Sequence, residues 1–281
     1  MPYDGRSMIE LPEIQQIGVH HQKVKGYLGL KNNTKPNPGK LVAIEGIWAL
    51  SKAYQAKATF ELLFVCPDLI YSNESSQLVK DCLASGIECV TVSQKVMERM
   101  VDRDKPDGLA ALVQLPITTF ADVELDKKSR IIILDALEIP GNVGTIIRSA
   151  DGSGTAAVIL TNKRARLTHP KVVHGSMGSI FSVKTIVAET PEVIDWLRKN
   201  HFNVFTVSTR GSRNYRSTDY TDRCALVLGS ERFGISKEWH ENENVGVRIP
   251  MLGVSDSLNV GHAAALLMYE ALYSQEPQLF K

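Results

Sequence analysis

Three stretches of this chain set polar side chains into glycine-bearing turns that follow apolar runs. Asn142 and Arg148 stand in Leu137-Glu138-Ile139-Pro140-Gly141-Asn142-Val143-Gly144-Thr145-Ile146-Ile147-Arg148. Glu231 stands in Leu226-Val227-Leu228-Gly229-Ser230-Glu231-Arg232-Phe233-Gly234-Ile235. Ser257 and Asn259 stand in Ile249-Pro250-Met251-Leu252-Gly253-Val254-Ser255-Asp256-Ser257-Leu258-Asn259-Val260-Gly261-His262-Ala263. Strand, glycine loop, helix is the geometry in which α/β proteins hold ligands. Backbone N–H groups at a helix start are free to bind, and a carboxylate at the C-terminal end of a parallel strand faces the ligand crevice. Asn142 and Arg148 are less than two helical turns apart, so both can face one cleft. Each group also has a plainer role. Asn142, or one of Ser255, Asp256, Ser257 and Asn259, can serve as a helix N-cap, Arg148 can lie on a solvated face, and Glu231 can brace a loop. A dinucleotide site is disfavoured, because no G-x-G-x-x-G opens a helix and Gly152-Ser153-Gly154 precedes a strand instead.

The elements that must position these groups alternate between strand and helix. Residues 41–44 read as a strand, a helix follows through Trp48 and Tyr54, and 60–66 form a second strand stopped by Pro67. Residues 75–85 read as helix, 86–92 as strand, 96–101 as a short helix and 109–115 as strand. Residues 116–129 are polar and charged, as a linker is. Arg130-Ile131-Ile132-Ile133-Leu134 is a continuous apolar run typical of a parallel strand buried on both faces. Further strands are expected at 157–160, 181–187, 203–207, 225–228 and 245–249, with helices at 191–200 and 263–272. The expected organisation is a basic N-terminal arm at 1–39, a small α/β domain at 40–115, a linker at 116–129, and a parallel-sheet domain with helices on both faces at 130–281. The arm carries Lys23, Lys25, Lys31, Lys35 and Lys40 with His20, His21 and Tyr27. Residues 11–30 have room for a helix, and 32–39 break it.

A length of 281 residues suits two domains, and 43% hydrophobic with 22% charged residues is ordinary for a globular protein. No apolar run approaches the roughly 18 residues that span a bilayer. Met1-Pro2-Tyr3-Asp4-Gly5 has no apolar signal core. Cys66, Cys82, Cys89 and Cys224 form no C-x-x-C pair and have no metal-like spacing to histidine, so reduced, buried thiols, no metal and a cytoplasmic setting are expected. A net charge of +1 neither implies nor excludes nucleic acid.

The order and wording of the three stretches resemble the SpoU (TrmH-like) branch of the SPOUT RNA 2′-O-ribose methyltransferases. Asn142 through Arg148 resembles the first motif, N-x-G-x-x-x-R, and Leu228-Gly229-Ser230-Glu231 the second. Ile249-Pro250-Met251 with Ser257-Leu258-Asn259-Val260 resembles the third. Ser176-Met177-Gly178-Ser179 is similar to the family's small-residue turn. Ile44-Glu45-Gly46 and Asp107-Gly108-Leu109-Ala110 resemble the edges of its ribosomal-protein-L30e-like RNA-binding domain.

The resemblance implies a C-terminal trefoil-knotted methyltransferase domain, S-adenosyl-L-methionine as cofactor and a homodimer with residues of both subunits at the active site. By the same resemblance, Val207, Ser208, Gly229, Ile249, Met251 and Leu258 hold the cofactor, with Leu258 acting through its backbone. Arg148, Asn142, Glu231, Ser257 and Asn259 carry the chemistry. Family schemes make the arginine a general base. Because deprotonating a guanidinium is costly, holding phosphate and developing alkoxide charge is the role physics favours for Arg148. Asn142, Ser257 and Asn259 then orient Arg148 and the ribose, and Glu231 fixes Arg148 or assists proton removal. Two departures stand out: Gly261-His262 replaces a small Ser/Ala run, and Arg232-Phe233 precedes Gly234. Lys163, Arg164, Arg166, His169 and Lys171, then Arg210, Arg213 and Arg216 around Tyr215, form basic loops suited to phosphate contacts, with Lys23 and Lys25 on the arm. Ribosomal RNA is favoured over tRNA as substrate; a tRNA methyltransferase, or an RNA-binding protein that keeps the fold without turnover, are the alternatives.

Overall fold

A computed structural model of the chain describes residues 13–34, 36–102, 104–240 and 244–281. The expectations for residues 1–12 and for Lys35 lie outside the described residues. The chain divides into two compact units, Met1–Pro116 with Thr168–Ser182, and Ile117–Leu167 with Val183–Lys281.

The first unit contains α1 (Gln22–Lys31), β1 (Leu41–Glu45), α2 (Gly46–Gln55), β2 (Phe60–Val65), α3 (Asn73–Ala84), β3 (Cys89–Thr91), α4 (Gln94–Met100) and β4 (Leu109–Gln114). Its four-stranded sheet has the order β1-β4-β2-β3. β4 is antiparallel to both neighbours, and β2–β3 is parallel. The helix expected over 11–30 is shorter. It starts after His21, whose Nδ1 accepts from the Lys23 N–H at 3.2 Å. The reason is that the preceding backbone is committed to β3: Ile17 N donates to the Thr91 carbonyl at 2.9 Å, and Thr91 N to that of Gln15 at 3.0 Å. Tyr27 is not an exposed aromatic among the lysines. It is 1% exposed, donates to the Ile44 carbonyl at 3.2 Å and packs edge-on to Phe64 at 5.5 Å.

The second unit opens with β5 (Arg130–Asp135), α5 (Pro140–Gly152) and β6 (Ala157–Thr161). After α6 (Pro170–Ser176), which belongs to the first unit, come β7 (Lys184–Val187), α7 (Thr190–Lys199), β8 (Asn203–Val207), β9 (Arg213–Asn214), β10 (Cys224–Gly229), β11 (Val245–Arg248) and α8 (Val260–Gln275). The strand expected from 181 starts at Lys184, because Phe181 lies in a 3-10 turn, Ser179–Phe181, ahead of it. The seven strands take the order β7-β6-β5-β10-β8-β11-β9, and every neighbouring pair is parallel.

Ile131, Ile133, Ala225 and Val227 pack with Val193 and Leu197 of α7 and with Trp239. The alternate residues Ile132, Leu134, Leu226 and Leu228 point to the opposite face, where α8 lies against β5 and β10 and beside α5. Burial on both faces is why these strands read as unbroken apolar runs. The 116–129 stretch is anchored rather than free: Phe120 stacks on Trp196 at 5.0 Å, and Val123 is buried. Arg130, 6% exposed, binds Gln275 Oε1 together with the Ser153 carbonyl at 2.9 Å and that of Gly154 at 3.3 Å. It thereby ties the C-terminal ends of α5 and α8 to each other and to the start of β5.

Candidate active site

Strand order reverses direction between β5 and β10, since β6 and β7 lie to one side and β8, β11 and β9 to the other. The crevice of an open parallel sheet forms at such a point, beyond the strand C-termini. The first two polar stretches leave the sheet there, after β5 and β10, and the third leaves the same edge after β11, two strands from β10.

Asp135 ends β5 fully buried. Its carboxylate accepts from Thr161 Oγ1 at 3.0 Å, Asn162 Nδ2 at 2.8 Å and the Ser236 N–H at 2.6 Å, which ties three loops together. The chain then enters α5 with Pro140 at the first helical position, where no N–H is missed. That places Asn142 in the first turn. At the end of β10 the chain folds into a tight loop closed by reciprocal hydrogen bonds, Ser230 N to the Gly234 carbonyl at 3.0 Å and Gly234 N to that of Ser230 at 2.9 Å. Gly234 has φ +71°, and a Cβ on Gly229 would lie 2.1 Å from the Gly234 carbonyl carbon, so this turn needs both glycines. Glu231 projects from it.

Asn142 Nδ2 donates to Glu231 Oε1 at 2.5 Å, and Asn142 Oδ1 accepts from Asn259 Nδ2 at 3.2 Å. Asn259 Oδ1 in turn accepts from the Gly261 N–H at 2.9 Å, which makes Asn259 the N-cap of α8. Every amide in this chain of bonds donates and accepts in a mutually consistent orientation. Gly261 has its own reason: a Cβ there would meet Asn259 Oδ1 at 3.1 Å and Thr145 Cγ2 at 3.4 Å, so glycine lets α8 start close against α5.

Beside this chain of bonds lies a cavity of about 290 Å³ whose lining includes Val207, Ser208, Gly229, Ile249, Met251 and Leu258. All six residues expected at the cofactor therefore meet in one place, and Glu231 and Ser257 share the wall. Asp256 is there too, accepting from Ser257 Oγ at 3.3 Å. Its sequence context reads as an ordinary cap, and only the course of the loop brings it to the cavity. His262 points to solvent and is not on the wall.

The Arg148 side chain is exposed, and no hydrogen bond joins it to Asn142, Glu231, Ser257, Asn259 or any other described residue. Its offset from Asn142 along α5 turns it to a different side of the helix. Arg164, Arg166 and Arg210 are exposed in loops after β6 and β8. Arg213, expected in a loop, stands on the short strand β9 because Val247 of β11 pairs with it. Lys25 is exposed, whereas Lys23 donates to Glu88 at 2.5 Å.

Burial pushes the Cys66 and Cys89 thiols up to about 11 and those of Cys82 and Cys224 to about 12, so none supplies a thiolate near neutrality. Among the described residues no cluster of His, Cys, Asp and Glu has the arrangement of a metal site, and no helix is long and apolar enough to cross a membrane.

Comparison with known proteins agrees with this geometry. Residues 129–269 match the model of the SpoU rRNA Methylase family, and residues 21–111 match the MRM3-like substrate binding domain. The 23S rRNA (guanosine(2553)-2′-O)-methyltransferase of Bacillus subtilis is 25% identical over 89% of this chain and 95% of its own length. A crystal structure of an RNA 2′-O ribose methyltransferase is 30% identical, with a TM-score of 0.78 over 94% of this chain and 99% of that one. The AdoMet-bound rRNA methyltransferase of Sinorhizobium meliloti shares the fold, with a TM-score of 0.83 at 24% identity over 95% of this chain and 99% of that one.

Proposed function

The chain belongs to the SpoU rRNA methylase family, and from that premise we propose that it is an S-adenosylmethionine-dependent 2′-O-ribose methyltransferase acting on ribosomal RNA. The observation that carries the proposal is the Glu231–Asn142–Asn259 chain of hydrogen bonds beside a cavity walled by the turns after β8, β10 and β11. The cavity suits the cofactor chemically. Val207, Ile249, Met251 and Leu258 offer apolar surface for a purine, while Ser208, Ser230, Ser257, Asp256 and Glu231 offer groups for ribose hydroxyls and an ammonium. S-adenosylmethionine would supply an electrophilic methyl group on a sulfonium.

The chain's own residues orient and deprotonate the acceptor. Asn142, held from both sides, fixes the Glu231 carboxylate through Oε1, and no bond to another described residue is found at Oε2. That second oxygen takes the 2′-OH proton as the ribose oxygen bonds to the methyl carbon and the carbon–sulfur bond breaks. Arg148 grips the adjacent phosphate and the charge developing on the ribose oxygen. Positioning of this kind supplies a large share of the barrier reduction. Ser257 lies where it can orient the ribose, and the exposed arginines 164, 166, 210 and 213, with Lys25, supply the salt-sensitive contacts to RNA.

Homodimerisation belongs to the same proposal. Arg148 stands apart from the other catalytic groups, and Leu266, Tyr269 and Tyr273 are exposed at a spacing that puts them on one face of α8. In a dimer Arg148 of one protomer would complete the site of the other. The trefoil knot is the remaining part. Its support is that residues 249–258 meet the turns after β8 and β10 in one cavity. The free, high-pKa thiols fit a cytoplasmic setting.

The test is incubation with labelled S-adenosylmethionine and unmodified rRNA or tRNA, followed by mapping of ribose methylation. Label at a 2′-O of rRNA is expected. Label in tRNA alone overturns the substrate, and none in either overturns the activity. Tyr269→Arg should convert a sedimenting dimer to monomer; a dimer that persists removes this face.

A further inference from the structure

The loop that carries Glu231 also carries the most exposed aromatic ring among the described residues. Phe233 is 73% exposed, and the guanidinium carbon of Arg232 lies over its ring at 5.1 Å from the centroid. This ring is not on a slack segment. The loop is closed by the two Ser230–Gly234 backbone bonds, and Phe233 N donates to Ser230 Oγ at 3.0 Å. Glu231, two residues earlier, is held by Asn142 and stands on the cavity wall. The ring is therefore carried, with an arginine on one of its faces, on the same rigid turn that fixes the group beside the reacting ribose.

We propose that Phe233 is a stacking platform for a nucleobase of the RNA at the methylation site, with Arg232 backing the ring and offering charge to the neighbouring phosphate. The proposal rests on the methyltransferase reading above. An exposed phenyl ring contributes nothing to the core of this unit, and no other aromatic ring of the described residues packs on it. Stacking a base on the free face removes that apolar surface from water. Such stacking accepts any of the four bases, so Phe233 anchors the target nucleotide without naming it. A guanidinium over the other face adds cation–π attraction and a planar fork for phosphate.

The experiment compares wild type with Phe233→Ala, Phe233→Leu and Phe233→Trp in the full chain, using the RNA that wild type methylates. Losing the ring should raise KM for RNA about 5-fold or more, in both the Ala and Leu variants. Affinity for S-adenosylmethionine, kcat and Tm should change little. Phe233→Trp should restore KM and show fluorescence quenching on RNA addition beyond that of wild type. A Leu variant with wild-type KM overturns the proposal, because bulk without a ring would then suffice. A variant that shifts the oligomeric state instead assigns the ring to a second copy and overturns it equally. Should wild type methylate no RNA, the activity fails separately, and the Trp fluorescence titration against rRNA still decides the stacking.

Discussion

Gly229→Ala should separate the geometry of the Glu231 loop from its chemistry. A Cβ at this position would lie 2.1 Å from the Gly234 carbonyl carbon, 2.2 Å from its oxygen and 2.3 Å from Ile235 N. Ordinary contact begins at 3.4 Å, so the difference from 2.1 Å requires a retreat of about 1.3 Å. The obstructing atoms are backbone, and they are bonded to Ser230, so they move only with Glu231. A displacement on the order of 1 Å in a catalytic constellation can cost about 100-fold in rate. Forced overpacking destabilises by roughly 1–3 kcal/mol. Single-turnover 2′-O-methylation with saturating cofactor should therefore fall about 100-fold, with a measurable loss in Tm. Two companion substitutions frame the result. Gly253→Ala meets nothing within 4 Å and has no left-handed φ, so it should be neutral. Gly234→Ala also meets nothing within 4 Å but sits at φ +71°, so it should lose roughly 1–2 kcal/mol of stability through backbone strain with a smaller effect on rate. Turnover of Gly229→Ala within threefold of wild type would falsify the claim that the Ser230–Gly234 closure positions Glu231.

Three further outcomes are expected. Arg148→Ala should abolish methylation while leaving cofactor affinity near wild type and Tm unchanged, because the side chain is exposed and bonds to no described residue; wild-type turnover would remove it from the mechanism. Asn142→Asp keeps the shape but sets a second carboxylate against Glu231 in place of a donor at 2.5 Å, and losing a charge-assisted hydrogen bond of about 1.5–3 kcal/mol should lower kcat roughly 10- to 100-fold. An unchanged kcat, read with calorimetric cofactor affinity, would mean that the bridge does not hold Glu231 in place. Native protein at pH 8 should resist iodoacetamide at Cys66, Cys82 and Cys224, because burial both shields these thiols and keeps them protonated; rapid native labelling at any of them, counted by mass spectrometry, contradicts that packing.

The elements most legible in the sequence are those whose residues meet the same environment on both faces. Arg130-Ile131-Ile132-Ile133-Leu134 and 225–228 announce parallel strands because helices cover the sheet on both sides. β9 does not announce itself. Two residues form a strand there only because β11 runs beside them and Gly211 admits the Val247 backbone, which a Cβ would meet at 2.3 Å. α6 carries a start signal, Pro170 after His169, but its seven residues are too few to display a period. Tyr27 among lysines has the composition of a nucleic-acid contact. Its burial depends on Ile44 and Phe64, which local sequence cannot reveal. The proposed catalytic groups are legible one motif at a time, yet their connection is not, since Asn142 reaches Glu231 across 89 residues and Asn259 across 117.

That connection explains why an amide suits position 142. A side chain standing between the Glu231 carboxylate and the Asn259 amide must donate to one and accept from the other, and the planar amide of Asn or Gln does both at every pH. A carboxylate would repel Glu231, and an ammonium would leave the Asn259 donor unanswered. The longer Gln would need an extra rotamer fixed in the first turn of α5, where Pro140 already sets the entry of the chain. Because Asn259 also caps α8, the same bonds that orient Glu231 anchor the N-terminal end of the helix, while Arg130 clamps the C-terminal ends of α5 and α8 through Gln275 and Ser153. The two helices are thus pinned at both ends, by the Arg130 clamp at one and by the proposed catalytic groups at the other. Disturbing the Arg130 clamp would be felt as a change in how Asn142 and Asn259 meet. The polar groups at the sheet's C-terminal edge therefore need no loop closure to find each other, since helix packing already sets their spacing.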